Sequence, residues 1–339
     1  MRKTISIIQD QSVIEYKGSY YRTNLSEFNK YLDLFLEINY LAIVKTKNKL
    51  QPTNKQISDN VHIVELPLEH KLNQIFLSQK MKIVLDKLVF SSDLLIIKMP
   101  SLGISQYVVQ QCIKYQKKYV LEVVGCAWSS YWYYNVVGKL IAPYSYLINK
   151  KYIYKAKHVI YVTQSYLQKV YPTLGQSVGC SNVELKEFSS HSKKWRFDKL
   201  SDIVLKIATV APVDIKFRGQ ADVFKALYKL KKKGYKFRYY LIGSGSPHRL
   251  KVLAKKLSLE SDIFFLGSLS HQAVLDKLDS FDLYIHPSKA EGLPRSLIEA
   301  MSRGLPCIAA NTSGNPELLP KEYIFEKGDI NQIYNLIKN

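Results

Sequence analysis

The chain has little of what would make it small, secreted or membrane-spanning. Its 339 residues include four cysteines, Cys112, Cys126, Cys180 and Cys307, far apart and with no C-x-x-C. That gives neither a zinc-ligand spacing nor the disulfide framework of a small secreted domain, and reduced thiols in a cytosol are expected. No stretch of 18 residues runs without polar interruption, so no segment is expected to span a bilayer. The apolar run that starts the chain stops at Gln9 and Asp10, too soon for a signal peptide, and suits a buried first strand. Glycine (15) and proline (12) are too few for a collagen-like or low-complexity chain. Acid is also short: 28 Asp and Glu stand against 49 Lys and Arg, a net charge of +21.

What is present is ordinary globular material, 47% hydrophobic and 23% charged, in a chain about twice the ~150 residues of one domain. Two domains are expected. The basic excess is +14 in residues 1–200 and +7 in the remainder. Between Glu122 and Glu184 there is no acid at all, only Lys139, Lys150, Lys151, Lys155, Lys157 and Lys169 among many Tyr and Trp. Such a field attracts phosphates, anionic lipid headgroups or nucleic acid, although a genome biased toward Lys, Asn and Tyr would give the same overall excess.

Short β-branched runs alternate with amphipathic stretches. In the first half the runs are Thr4–Ile8, Tyr40–Val44, Val61–Leu66, Leu94–Ile97, Tyr119–Val124, His158–Val162 and Val183–Leu185. Helical patterns lie near Leu25–Ile38, Leu72–Phe90, Ser105–Lys117, Val136–Tyr154 and Ser165–Tyr171. Continuous apolar strands separated by helices indicate a parallel sheet covered on both faces. A polar stretch without period, Ser189 to Lys199, reads as a linker. Beyond it the alternation restarts, with strands at Ile203–Thr209, Phe237–Ile242, Ile263–Leu266, Leu283–Ile285, Cys307–Ala310 and Tyr323–Phe325. The expected architecture is α/β: a Rossmann-like doubly wound domain over 1–188, a linker over 189–202 and a second such domain over 203–339, facing each other across a cleft lined by strand carboxyl ends.

The densest chemistry lies in His286-Pro287-Ser288-Lys289-Ala290-Glu291-Gly292-Leu293-Pro294-Arg295, running on through Glu299-Ala300-Met301 to Gly304-Leu305-Pro306. A strand ends, a Gly/Pro loop follows, Pro294 stands where a helix begins, and Gly304 ends that helix. The loop directs backbone N–H groups toward a helix amino terminus, which suits a phosphate. Glu291 in the loop and Glu299 in the helix can accept hydrogen bonds from sugar hydroxyls, which in a nucleotide sugar lie on either side of the diphosphate, although a surface loop with two solvated glutamates has the same E-x7-E spacing.

This text, P-S-x-x-E-G-L-P-x-x-x-x-E-A-M-x-x-G-x-P, resembles the donor-site signature of family 4 glycosyltransferases, retaining enzymes of the GT-B type. The resemblance covers nearly all of residues 203–326, supported by Gly243-Ser244-Gly245, by Phe265 to Ser270 and by Ser313 to Leu318; the first half is more weakly similar, mainly to bacterial enzymes of capsule and exopolysaccharide synthesis. It implies that Glu291 holds donor-sugar hydroxyls, that Glu299 holds the ribose, that the N–H groups of Gly292 and Leu293 face the diphosphate, and that Ser288 belongs to the donor site. The family's Arg and Lys clamp falls on Lys216 and Arg218, with their usual order exchanged. A guanidinium binds phosphate bidentately and an ammonium as a point charge, so the exchange bears on their roles. Gly243, Ser244, Gly245, Ser268 and Leu269 are expected to wall the nucleobase, and Gly18 to be what remains of a Gly-rich loop near the diphosphate.

No D-x-D occurs in the chain, so neither metal nor cofactor is expected, and cations with N–H dipoles are left to stabilise the leaving diphosphate. The partners expected are a nucleotide-sugar donor (UDP or GDP), a lipid-linked or oligosaccharide acceptor and an anionic membrane at the cytoplasmic face, where Trp128 to Tyr134 and the acid-free stretch after it suit the headgroup layer. His62, His70, His158, His191, His248 and His271 show no spacing for a metal site or triad. Two other readings remain: a basic nucleic-acid- or lipid-binding protein with a degenerate donor site, and a nucleotide-sugar epimerase of similar fold. No nucleic-acid recognition signature accompanies the charge.

Overall fold

The structure, a computed structural model, describes residues 4–9, 11–23, 25–51, 53–67, 77–185, 188 and 204–338. The expected linker and the start of the helix expected from Leu72 lie outside them. The chain divides into two compact units, Met1–Trp132 with Val137–Asn182, and Tyr133–Val136 with Val183–Asn339.

In chain order the first unit contains β1 (Ile5–Ile8), β2 (Ser12–Tyr16), β3 (Ser19–Arg22), α1 (Ser26–Leu32), β4 (Ile38–Thr46), β5 (Lys55–Gln56), β6 (Val61–Glu65), α2 (Gln79–Ser91), β7 (Leu94–Met99), α3 (Ile104–Lys114), β8 (Lys118–Val123), α4 (Ala127–Trp132), α5 (Val136–Lys155), β9 (His158–Tyr161), α6 (Tyr166–Val170) and β10 (Gln176–Gly179). Its parallel strands run β6-β4-β1-β7-β8-β9-β10, the Rossmann order with a seventh strand added. The apolar runs form its buried centre; all four residues of β1 are buried.

Three sequence expectations fail here. The helix expected over Leu25–Ile38 stops at Leu32, because Ile38 is a buried strand residue paired with Ile5 and Val61. No strand forms at Val183–Leu185; the edge strand is Gln176–Gly179, too polar and exposed for hydrophobicity to mark. The residues after β1 form an antiparallel β2–β3 hairpin, whose two turn residues Lys17 and Gly18 have φ of 50° and 78°. Gly18 is therefore a hairpin tip rather than part of a Gly-rich phosphate loop, and its N–H is held by Glu15 Oε1 at 3.0 Å.

The second unit contains β11 (Leu205–Val210), a 3-10 turn (Lys216–Arg218), α7 (Gln220–Lys232), β12 (Phe237–Ile242), α8 (His248–Lys256), β13 (Ile263–Gly267), α9 (His271–Leu278), β14 (Leu283–His286), α10 (Arg295–Ser302), β15 (Cys307–Ala310), β16 (Ile324–Phe325) and α11 (Ile330–Lys338). The order β13-β12-β11-β14-β15-β16 is again Rossmann-like and wholly parallel. Strand alternation splits the core: Ile207, Leu283 and Ile285 pack with α7, α8 and α11, while Ala208, Tyr284 and Cys307 pack with α9 and α10. The order in which strands are added reverses between β11 and β14, the switch point at whose carboxyl edge ligands of such sheets bind.

Candidate functional site

Five loops meet along that edge and are joined backbone to backbone. Gly243 N–H, after β12, donates to Gly267 O at 2.9 Å, and Val213 N–H, after β11, donates to Ser244 O at 2.9 Å. Lys289 N–H, after β14, donates to Phe217 O at 2.8 Å, and Gly314 N–H, after β15, donates to Gly292 O at 3.1 Å. Two glycines allow the closest approaches. A Cβ on Gly243 would lie 2.1 Å from Ala211 O, and one on Gly219 (φ +77°) would lie 2.0 Å from Pro287 O. The loops bearing Arg218 and Glu291 are thereby fixed to each other at the reversal point.

At their junction Arg218 Nη1 donates to Glu291 Oε1 and, at 3.4 Å, to Ser288 Oγ. Ser288 is buried, and its hydroxyl donates to Ala290 O at 3.1 Å. On the other side of Glu291, His286 Nε2 lies 3.2 Å from the same Oε1. A carboxylate only accepts, so His286 carries its proton on Nε2. His286 is buried, and its Nδ1 stands 3.4 Å from Tyr284 OH, which donates to Ser296 Oγ at 2.8 Å. Burial alone would raise the Glu291 carboxyl, but the hydrogen bond and charge of His286 with the guanidinium of Arg218 outweigh it and bring the pKa down to about 2.

That depression has a sign that can be measured. Glu291 holds its proton less tightly folded than unfolded, so its stabilisation is complete above the ordinary carboxyl value of 4.5 and is lost as pH falls to about 2. The shift corresponds to about 3 kcal/mol. Thermal melts across this window should show a flatter acid limb in Glu291→Gln than in the parent protein; equal slopes would contradict the pairing.

Glu299 lies in α10 as expected, 3.1 Å from Nε2 of His271, the first residue of α9. Burial raises its pKa, and His271 and Arg295 offset that only in part. The N–H groups of Gly292 and Leu293 make no hydrogen bond within the described residues. Lys216 is exposed in the 3-10 turn and forms no ion pair among the described residues, so the two cations differ: Arg218 is committed to Glu291 and Lys216 points to solvent. Gly243, Ser244 and Gly245 form the turn after β12, and Ser268 and Leu269 join β13 to the Ser270 cap of α9. Sequence reading missed both histidines as partners of the glutamates. The signal for His286 was its place two residues after Tyr284 on one strand, which sets both side chains on the same sheet face.

The carboxyl edge of the first unit holds a second charged cluster. Glu122 in β8 is fully buried, accepting from Tyr31 OH at 2.5 Å, Lys98 Nζ at 2.5 Å and Lys30 Nζ at 3.5 Å. Lys98 also pairs with Glu27 at 3.0 Å, and Glu27 with Arg22 at 2.9 Å. Burial pushes the Glu122 carboxyl up, but Lys98, Lys30 and the Tyr31 hydrogen bond together bring it below its usual range, while burial and Glu122 raise Tyr31. The carboxylate is ionised and the phenol keeps its proton.

In the acid-free stretch, α5 buries Gly138, Ala142, Ser145, Asn149 and Ile153. Its other side exposes Val136, Val137, Leu140, Tyr144 and Leu147, followed by Lys151 and Lys155. Trp128 stacks on Trp132 with centroids 5.2 Å apart, and Trp128 and Tyr134 are themselves exposed, so the outward apolar surface is mixed aliphatic and aromatic. Among the described residues no helix is long and apolar enough to cross a membrane, and no group of three or more His, Cys, Asp or Glu could hold a metal ion.

Comparison with known proteins agrees with this fold. The chain is 30% identical to protein CapJ of Staphylococcus aureus over 97% of its own length and 84% of CapJ's. It is 34% identical to a putative colanic acid biosynthesis glycosyltransferase, WcaL of Escherichia coli, over 34% of this chain and 30% of that one. Its fold matches HepE of Anabaena, solved in complex with UDP, with a TM-score of 0.67 at 15% identity over 99% of this chain and 88% of that one. Solved neighbours of this kind are GT-B glycosyltransferases, as the two Rossmann-like units lead one to expect. Residues 188–339 match the family described as glycosyl transferases group 1. With two parallel units in Rossmann order, a paired carboxylate and guanidinium at the reversal point of the second, and a relative alike along almost its whole length, the chain belongs to the group 1 glycosyl transferases.

Proposed function

We propose that this protein moves a sugar from a nucleoside-diphosphate donor to a lipid-linked saccharide acceptor, with retention and without a divalent metal, in the synthesis of a bacterial surface polysaccharide. The observation that carries this is the Arg218–Glu291 pair on loops fixed to each other, which sets a phosphate-binding cation beside a sugar-binding carboxylate. The relatives' descriptions favour polysaccharide synthesis, and the HepE complex favours uridine diphosphate. Glu291 takes the donor-sugar hydroxyls and Glu299 the ribose; Arg218, Lys216, Ser288 and the N–H groups of Gly292 and Leu293 take the diphosphate. Gly243 to Gly245, with Ser268 and Leu269, wall the base. The first unit takes the acceptor.

In the reaction the acceptor oxygen attacks the anomeric carbon from the face the diphosphate leaves. The carbon–phosphate-oxygen bond breaks, and the departing phosphate oxygen takes the acceptor proton. Fixed cations and dipoles aimed at the departing charge lower the barrier without reorganising. Release of free nucleoside diphosphate only when acceptor is added distinguishes transfer from epimerisation and from simple binding. The same assay with EDTA should keep its rate within about twofold, since the fixed cations do the metal's electrostatic work. Complete loss restored by manganese or magnesium would end the metal-free reading.

The protein is further placed at the cytoplasmic face of the membrane, held by α5. Each lysine near an anionic surface contributes about 1 kcal/mol, and exposed aliphatic side chains add apolar contact. Sedimentation with anionic liposomes should be strong at low salt and fall at high salt, where exposed charges are screened. Lys151→Glu with Lys155→Glu should weaken it at least tenfold, and Leu140→Ser with Leu147→Ser should weaken it without changing the salt dependence. Equal sedimentation with neutral liposomes, or none with either, would remove the membrane from the reading.

A further inference from the structure

We infer that Glu291 is the resident counter-ion of Arg218, displaced from it by the donor's diphosphate, and that this exchange makes Glu291 the residue by which the site prefers an intact sugar donor to the spent nucleoside diphosphate. The inference rests on the donor-site reading above.

Three observations carry it. Arg218 Nη1 is spent on Glu291 and, weakly, on Ser288, while its buried Nε finds no acceptor among the described residues. A guanidinium with a donor left over is not in the best position open to it once an anion is offered. The second observation is the asymmetry of the partners: the His286 side chain is 3% exposed and Glu291 13%, against 23% for Arg218. His286 anchors Glu291 from the sealed side, so Arg218 is the partner free to turn toward a ligand. Third, the two loops cannot separate to free Arg218 another way, because Gly219 lies against Pro287 and Lys289 N–H is bonded to Phe217 O.

The exchange has different outcomes for the two ligands. A diphosphate alone satisfies Arg218 but leaves the Glu291 carboxylate without its cation, beside new negative charge. A diphosphate sugar satisfies Arg218 and also brings hydroxyls that donate to that carboxylate. Apparent affinity for a bare diphosphate is then lowered by the fraction of molecules in which Arg218 is already paired.

The test is calorimetric titration of UDP and of GDP into the parent protein, Glu291→Gln, Arg218→Ala and the double variant. Glutamine has the shape of glutamate without its charge, so Glu291→Gln should bind whichever diphosphate the parent takes about 5- to 30-fold tighter, as expected if Arg218 is free in only a small fraction of parent molecules. Glu291→Asp, with a shorter reach to Arg218, should gain less. Arg218→Ala should bind more weakly than the parent, and Glu291→Gln should give no gain in the Arg218→Ala background. An equal gain with and without Arg218 would mean that the carboxylate only repels the ligand, and the exchange is wrong. Unchanged or weaker binding in Glu291→Gln, with Arg218→Ala still impaired, also overturns the exchange and leaves the donor site standing. If Arg218→Ala binds both diphosphates as the parent does, or the parent binds neither, the donor-site reading fails and the exchange with it.

Discussion

Glu291→Ala is expected to lower turnover about 10²- to 10³-fold while nucleoside diphosphate still binds, and Glu299→Ala to weaken diphosphate and donor alike by about 10- to 100-fold. The difference follows from what each carboxylate faces. Glu291 stands between Arg218 and His286 where the sugar would sit, and contacts that strengthen as the glycosidic bond breaks raise turnover rather than binding. Glu299 is set into α10, with His271 and Arg295 as its neighbours, and its proposed hydroxyl partner is on the ribose, which does not react. Each charge-assisted hydrogen bond lost there costs about 1.5–3 kcal/mol in donor and transition state equally. Steady-state rates and titrations on the two variants measure both quantities. Parent-like transfer in both would remove the site assignment.

Gly219→Ala should be the most damaging small substitution in the second unit. Its backbone is left-handed, with φ +77°, and the new Cβ would lie 2.0 Å from a carbonyl oxygen, where no rotamer relieves the clash. Strain and clash together should cost about 3 kcal/mol or more and lower the melting temperature on the order of 10 °C. Nucleotide binding should suffer beyond that, because the contact joins the loops of Arg218 and Glu291. Gly234→Ala provides the control, since φ there is +86° but nothing lies within 4 Å of the added carbon. Only the backbone term of about 1 kcal/mol remains. Equal melting points for the two variants would show that the loops are not held together at this contact.

The second unit was the more legible in sequence, for a physical reason. Its strands are mainly apolar and largely buried, with Lys206 and Arg238 as exposed exceptions, so the strand Phe237–Ile242 and the helix between Pro294 and Gly304 fall where expected. The hairpin of the first unit was hidden because Ser12–Arg22 is mostly half-buried and polar, with no apolar alternation. At the site, the glutamates and Arg218 were singled out by the resemblance of their motifs to the family's pattern, not by spacing alone. The histidine partners were not: His271 reaches Glu299 from 28 residues away along the chain, and Lys30 and Lys98 reach Glu122 across 92 and 24 residues. Such pairings are made by strand order, which local pattern does not encode. The apolar side of α5 was readable as a helix, but which side faces out depends on what the helix packs against.

The wholly parallel sheet of the second unit bears on how the protein is made. None of its pairings closes as a local hairpin; each waits for a helix to cross over and return. The central pairing, β11 with β14, joins residues 76 apart, as the bond from Lys206 N–H to the Asp282 carboxylate records. At about 5–20 residues per second a ribosome needs roughly 4–15 s to supply that partner. Through that interval β11, β12 and β13 have only one another, with one side of β11 open and apolar, and this is when the nascent chain is most exposed to aggregation.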